Sequence, residues 1–316
     1  MSKLKILFFG TAPFGFPVLR YLAGRGDVEV VGVISQPDRR RGRGRKKQSP
    51  PVADYARELG LPLYQSGDIN EDGLEIMREI GEIDAGVLIA YGQFLSPDVF
   101  TYPRYDSFNF HASLLPRWRG AAPIRHTLLA GDKKTGVSVF KLEEGMDTGP
   151  ICRQISCDVQ PKETYGELYE RLSRLNVEAA DLLLKDLHSG NLQYIPQTGE
   201  ATYAPLISTG DALIDWSKTA AEVERHVRAF CPDPGAYTFI NSERVKIYRV
   251  LPVEANGRPG EVLKAADNKF YIACGRRAVS IEKLQPAGTR TMDPRSFLAG
   301  RRQIADGKVD VADELA

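Results

Sequence analysis

Leu4-Lys5-Ile6-Leu7-Phe8-Phe9 is apolar at every position but Lys5, and Val28-Glu29-Val30-Val31-Gly32-Val33-Ile34 repeats that character after a gap. Short apolar runs of this kind read as strands buried on both faces. Between them, residues 14–22 carry apolar side chains at helical steps, so the segment is strand, helix, strand. Such a crossover returns the chain parallel to its starting strand. The pattern extends outward. A helix is expected over 50–59 with Ser49 as N-cap, a short strand over 62–64, a helix over 72–80 and strands over 85–90 and 106–110. A short helix over 123–130 and strands over 136–142 and 151–159 follow. Leu168, Leu172, Leu175, Ala179 and Leu182 then mark one face of a long helix over 164–188, with Gly190 as its stop. Strands alternating with helices predict an α/β fold: a doubly wound, mostly parallel, Rossmann-like sheet covered on both faces, forming a first domain over 1–189.

Residues 190–207, with Pro196, Gly199 and Pro205 and no periodicity, read as a linker. From 208 to 316 the expected elements are one helix over 220–230 and short strands over 236–240, 245–250, 269–273 and 278–284. These predict a smaller, OB-like β-barrel domain.

The 316 residues leave room for both domains, and 42% hydrophobic against 26% charged residues excludes wholesale disorder. No run approaches the roughly 18 to 20 apolar residues of a membrane span. Apolar sequence begins by Ile6, leaving no room for a signal or transit segment, so a cytoplasmic protein is expected. Four cysteines without a Cys-x-x-Cys pair fit a reducing compartment. Four histidines without zinc-like spacing predict no metal. Net charge is +1, but residues 36–47 hold seven bases against one acid, leaving the rest of the chain at −5. A Gly-hinged segment this basic fits phosphate contact; the plain alternative is a solvated loop. The second domain, with 17 bases against 15 acids, is not marked as an RNA binder by charge.

The densest polar constellation is Asn109-Phe110-His111-Ala112-Ser113-Leu114-Leu115-Pro116. It falls at the C-terminal end of a predicted strand, the edge where open parallel sheets bind ligands. Asn109 and His111, two apart, project from one face. An amide donor beside an imidazole suits a site that holds a carbonyl and stabilises the oxyanion formed when it is attacked. Alternatively, both side chains are satisfied by loop backbone. Asp147, flanked by Gly145 and Gly149, could orient the imidazole or a water and take up a proton, or cap its own loop as an Asx-turn. Gly10-Thr11-Ala12-Pro13-Phe14-Gly15 follows the first strand but lacks the middle glycine of a dinucleotide fingerprint.

Several of these segments together resemble the methionyl-tRNA formyltransferase family. They are Phe9-Gly10-Thr11-Ala12-Pro13-Phe14, Gln36-Pro37-Asp38-Arg39 with Gly42-Arg43-Gly44, Asn109-x-His111, Ser113 to Pro116, Trp118-Arg119-Gly120-Ala121-Ala122-Pro123 and Gly145-Met146-Asp147-Thr148-Gly149. Ile214-Asp215-Trp216 and Arg228-Ala229-Phe230 extend the likeness into the second domain. The resemblance implies transfer of a formyl group from 10-formyltetrahydrofolate to the α-amine of initiator methionyl-tRNA, by a monomer. It implies Asn109, His111 and Asp147 as catalytic residues. Ser113, Leu114, Leu115 and Pro116 would line the folate site, with the pterin near Ile89, Ala90, Tyr91 and Gly92. Arg39, Arg43, Arg45 and Lys46 would contact the tRNA, as would the C-terminal domain. Arg40-Arg41 departs from the Pro-Ala often found there in the family and adds charge. Competing expectations are a formyltransferase acting on an amino-sugar nucleotide, a formyltetrahydrofolate hydrolase and a noncatalytic tRNA-binding module.

Overall fold

The computed structural model describes residues 3–41, 46–266, 269–299, 301 and 304. β1 (Leu4–Gly10), α1 (Phe16–Ala23) and β2 (Val28–Ser35) form the expected strand-helix-strand unit. β1 and β2 run parallel, with Ile6 opposite Val30 and Phe9 opposite Ile34. Pro17 sits in the first turn of α1, where a missing N–H costs no hydrogen bond, and Val18, Leu19 and Leu22 bury its inner face. The flanks of the basic segment pair as a hairpin, β3 (Arg39–Arg41) with β4 (Lys46–Gln48), Arg40 opposite Lys47. Arg43, Arg45 and the side chain of Lys46 lie outside the described residues. α2 (Pro51–Glu58) starts on Pro50 rather than on a Ser49 cap. The Ser49 hydroxyl donates instead to Asp38 Oδ1 at 2.9 Å, an acceptor brought near only by the fold.

β5 (Leu63–Gln65) is followed by α3 (Ile69–Ile80), which starts earlier than expected because the Asp68 side chain accepts from Asn70 N and caps it. Then come β6 (Ala85–Ile89), α4 (Pro97–Phe100), β7 (Ser107–His111), α5 (Pro123–Ala130), β8 (Lys134–Lys141), β9 (Ile151–Asp158) and α6 (Tyr165–Ser189). The seven strands of the large sheet lie in the order β5-β2-β1-β6-β7-β8-β9. The first five are parallel; β8 and β9 add an antiparallel edge. Strand order reverses between β1 and β6, so the loops after them occupy the topological switch point. The two loops are joined there: Thr11 N donates to Ala90 O at 3.2 Å and the Thr11 hydroxyl to Tyr91 O at 2.7 Å.

Leu7, Phe9, Ile34 and Leu88 pack with Tyr91 and with Ile69, Met77 and Val99 from α3 and α4. The buried row of α6 differs from the expected one. Leu175 and Leu182 are only half-buried, while Asn176 and Leu183 are covered, giving the 3.6-residue progression Leu168, Leu172, Asn176, Ala179, Leu183, Leu187. A polar residue in the row led the apolar pattern one position astray.

By packing, the chain divides into two units. One takes Met1–Pro123, Lys134–Asp158 and Tyr169–Ala204; the other takes Ile124–Lys133, Val159–Leu168 and Pro205–Ala316. Residues 190–204, expected as linker, thus group with the first unit. The second unit carries α7 (Ala220–Phe230) and β10 (Ala236–Ile240), β11 (Glu243–Val253), β12 (Val262–Ala266), β13 (Lys269–Ala273) and β14 (Ala278–Pro286), then α8 (Pro294–Ala299). The strands form a five-stranded antiparallel sheet in the order β10-β11-β14-β13-β12. Thr219 and Glu222 close a capping box at the start of α7, and Val223, Val227 and Phe230 bury its apolar face. Among the described residues no helix is long and apolar enough to cross a membrane.

Candidate active site

β7 carries Asn109 and His111 to the C-terminal edge of the large sheet. Pairing on both sides fixes them: Asn109 lies opposite Leu88 of β6 and Phe140 of β8, and His111 opposite Ser138. The His111 ring is buried, with Nε2 2.7 Å from Trp118 O and Nδ1 3.5 Å from Asp147 Oδ2. A carbonyl only accepts, so Nε2 carries a hydrogen, and the Nδ1 of a neutral ring turns its lone pair toward a carboxylate. A proton placed on Nδ1 converts that approach into a charge-assisted hydrogen bond. The backbone alternative describes His111 Nε2 and not Nδ1. Asn109 is half-buried, and its amide has no hydrogen-bond partner among the described residues.

Asp147 sits in the loop between β8 and β9 with φ +52°. It does not cap its own loop as an Asx-turn would. Its Oδ2 accepts from Gly120 N at 2.7 Å, across from the segment that follows β7. Gly149 closes the loop because a Cβ there would lie 1.8 Å from Lys141 O. Gly120 has φ +115°, a conformation side chains rarely adopt, and this orients its N–H at the carboxylate.

The turn after His111 is held by its own polar groups. The fully buried Ser113 hydroxyl donates to Arg117 O at 2.5 Å, and the Ser138 hydroxyl donates to Ser113 O at 2.7 Å. Ser138 Oγ accepts from Leu115 N at 3.0 Å and from Gln154 Nε2 at 2.8 Å. Of the residues assigned to folate here, Ser113 and Leu115 are buried in the turn, and Leu114 and Pro116 stay half-buried. At the switch-point loop, Ile89 and Tyr91 point into the core, while Ala90 and Gly92 are exposed with φ +48° and +81°. That loop offers a ligand backbone rather than long side chains. Burial pushes the Tyr91 hydroxyl well above the usual phenol range, so it stays protonated.

A cavity of about 380 Å³ lies beside Gly92, lined by Gln36, Arg39, Asp68, Asn70, Gln93 and Phe94 among others. It includes none of the three expected catalytic residues. Gln36 Nε2 donates into the same loop, to Tyr91 O at 3.0 Å. Arg39 and Arg40 are exposed. Asp38, at the hairpin base, is held below the usual carboxylate range by hydrogen bonds from Gln65 and Ser49. Among the described residues no cluster of His, Cys, Asp or Glu is placed to hold a metal ion.

Sequence reasoning missed Ser138 and Gln154, and also Thr202, whose Oγ1 accepts from Trp118 N at 3.0 Å. No local pattern marks them, because each acts on a loop distant along the chain.

A sequence profile described as formyl transferase matches residues 3–182, and one described as formyl transferase, C-terminal domain, matches 206–302. A methionyl-tRNA formyltransferase of Neisseria meningitidis serogroup B is 40% identical over 310 residues, covering 97% of this chain and 100% of the relative. One from Parvibaculum lavamentivorans is 41% identical over 302 residues, covering 94% and 97%. The solved N-formyltransferase of Helicobacter canadensis, in complex with folinic acid and dTDP-3-aminofucose, superposes with a TM-score of 0.64 at 18% identity. It covers 89% of this chain and 99% of that one, a likeness of fold. Full-length matches at this identity, with the Asn109, His111 and Asp147 constellation assembled at one sheet edge, place the chain in the methionyl-tRNA formyltransferase family.

Proposed function

We propose that this chain acts in the cytoplasm as the enzyme that formylates initiator methionyl-tRNA from 10-formyltetrahydrofolate, with Asn109, His111 and Asp147 performing the chemistry. The observation that carries this reading is the 3.5 Å approach of His111 Nδ1 to Asp147 Oδ2, at the end of the strand that carries the unengaged Asn109 amide. The neutral α-amine attacks the formyl carbon, and the carbonyl oxygen becomes an oxyanion that the Asn109 amide stabilises. The amine's proton passes to the His111–Asp147 pair and comes to rest on Nδ1 between them, where the carboxylate balances the new charge. Collapse breaks the bond from carbon to N10, and N10 takes the proton back from His111. With Nε2 bound to Trp118 O, His111 serves as proton carrier rather than as the second oxyanion donor expected from sequence.

In this reading the exposed arginines of the basic hairpin grip tRNA phosphates, the second unit adds a contact surface, and the chain works as a monomer. An amino-sugar nucleotide as acceptor would not need the basic segment. The test is labelled formyl incorporation into methionyl-tRNA, into an amino-sugar nucleotide and into neither. The expected result is tRNA labelling that falls by about 10²-fold or more in Asp147→Asn. Undiminished turnover in that variant, or labelling of the sugar instead, overturns the proposal.

A further inference from the structure

Gln197 lies in the stretch without periodicity, yet its side chain joins two loops of the site. Its Oε1 accepts from Arg119 Nε at 3.1 Å and from Arg119 Nη2 at 2.7 Å. Its Nε2 donates to Asp147 O and Gly149 O, both at 2.8 Å. An amide has two N–H donors and two acceptor positions, and here all four are used. Two of these bonds hold the turn in which Asp147 keeps its positive φ. The other two hold the side chain of Arg119, between Trp118, whose carbonyl accepts from His111, and Gly120, whose N–H donates to Asp147.

Gln197 is itself anchored on both sides. Ile195 and Ile151 exchange backbone hydrogen bonds at 2.9 and 2.8 Å, and Arg119 N donates to Thr202 O at 2.9 Å while Ala204 N donates to Arg119 O at 2.7 Å. A side chain fixed at both ends and saturated in its bonds fits a spacer that sets a distance between two loops.

We propose that Gln197 is a positioning residue for the formyl transfer: it fixes the backbone of 147–149 so that the Asp147 carboxylate faces His111 Nδ1. This rests on the catalytic roles proposed above. Gln197→Glu is the informative change, because the carboxylate keeps the size of the amide and both acceptances from Arg119 but has no N–H for the carbonyls of Asp147 and Gly149. Turnover is expected to fall about tenfold, equivalent to about 1.4 kcal/mol, with KM for methionyl-tRNA and for the folate unchanged. Gln197→Met, similar in length and without hydrogen bonds, gives the same loss should the glutamate variant fold poorly by circular dichroism. In an Asp147→Asn background, Gln197→Glu is expected to cost nothing more, since no carboxylate is left to position. Wild-type kcat in both Gln197 variants, a loss confined to KM, or losses that multiply in the double variant each refute the positioning role. Full activity in Asp147→Asn alone instead refutes the catalytic reading on which it rests.

Discussion

At Asp147 the backbone is left-handed, a conformation that aspartate and asparagine tolerate better than most side chains. Asparagine there therefore preserves the turn and removes only the charge. Asn109 poses the complementary question, because its amide is a donor with no partner among the described residues. Asn109→Ala is expected to lower kcat by about 10²- to 10³-fold with KM for tRNA little changed, as loss of an oxyanion donor does; single-turnover formyl transfer measures it. The placement of Asn109 and His111 on one face of a strand, and of Asp147 in a glycine-flanked loop, was legible from sequence because strand spacing and flanking glycines are local signals. The occupation of His111 Nε2 by Trp118 O was not, since that carbonyl turns inward only where Trp118 takes φ +62°.

Elements were legible where their signals are contiguous. α7 coincides with its expected span, and its start is written in the capping box of Thr219 and Glu222. Thr219→Ala is expected to cost about 1 kcal/mol of stability, read from the urea midpoint. α6 was found while its buried face was misassigned, because Asn176 occupies a position that periodicity reserves for an apolar residue. The β3–β4 hairpin was not anticipated: charge and glycine suggested an open loop, whereas Asp38, anchored by Ser49 and Gln65, ties down its base.

Charge distribution acts on the scale of the whole molecule. A segment of +6 in a chain of net +1 concentrates phosphate attraction in one region. Arg43→Ala is therefore expected to weaken tRNA binding and to reduce the slope of log affinity against log salt by about one, measured by filter binding across a salt series. Acid sensitivity is expected at the turn before β2. Arg25 donates to both oxygens of Asp27 at 2.7 and 2.6 Å and lowers its pKa from 3.8 to about 2. A depressed carboxylate stabilises the fold fully above its unfolded pKa and ceases to do so as pH falls through the folded one. Asp27 is 43% exposed, so the contribution stays below about 1 kcal/mol. Asp27→Asn should therefore be less stable than the wild type at pH 5, and the difference should vanish between pH 4 and pH 2 in denaturant titrations.

The amino-acid sequence by itself determined the alternation of strands and helices, the sheet edge to which Asn109 and His111 are carried and the glycine-flanked loop that holds Asp147. These follow from periodicity, turn chemistry and short-range spacing, all of which act between near neighbours. Only the tertiary structure decided which ring nitrogen of His111 meets Asp147, that the Asp147 side chain bonds Gly120 rather than its own loop, and that residues 190–204 brace the first unit. Those features depend on hydrogen bonds between groups tens of residues apart, and a backbone carbonyl or N–H of that kind leaves no mark on residue identity.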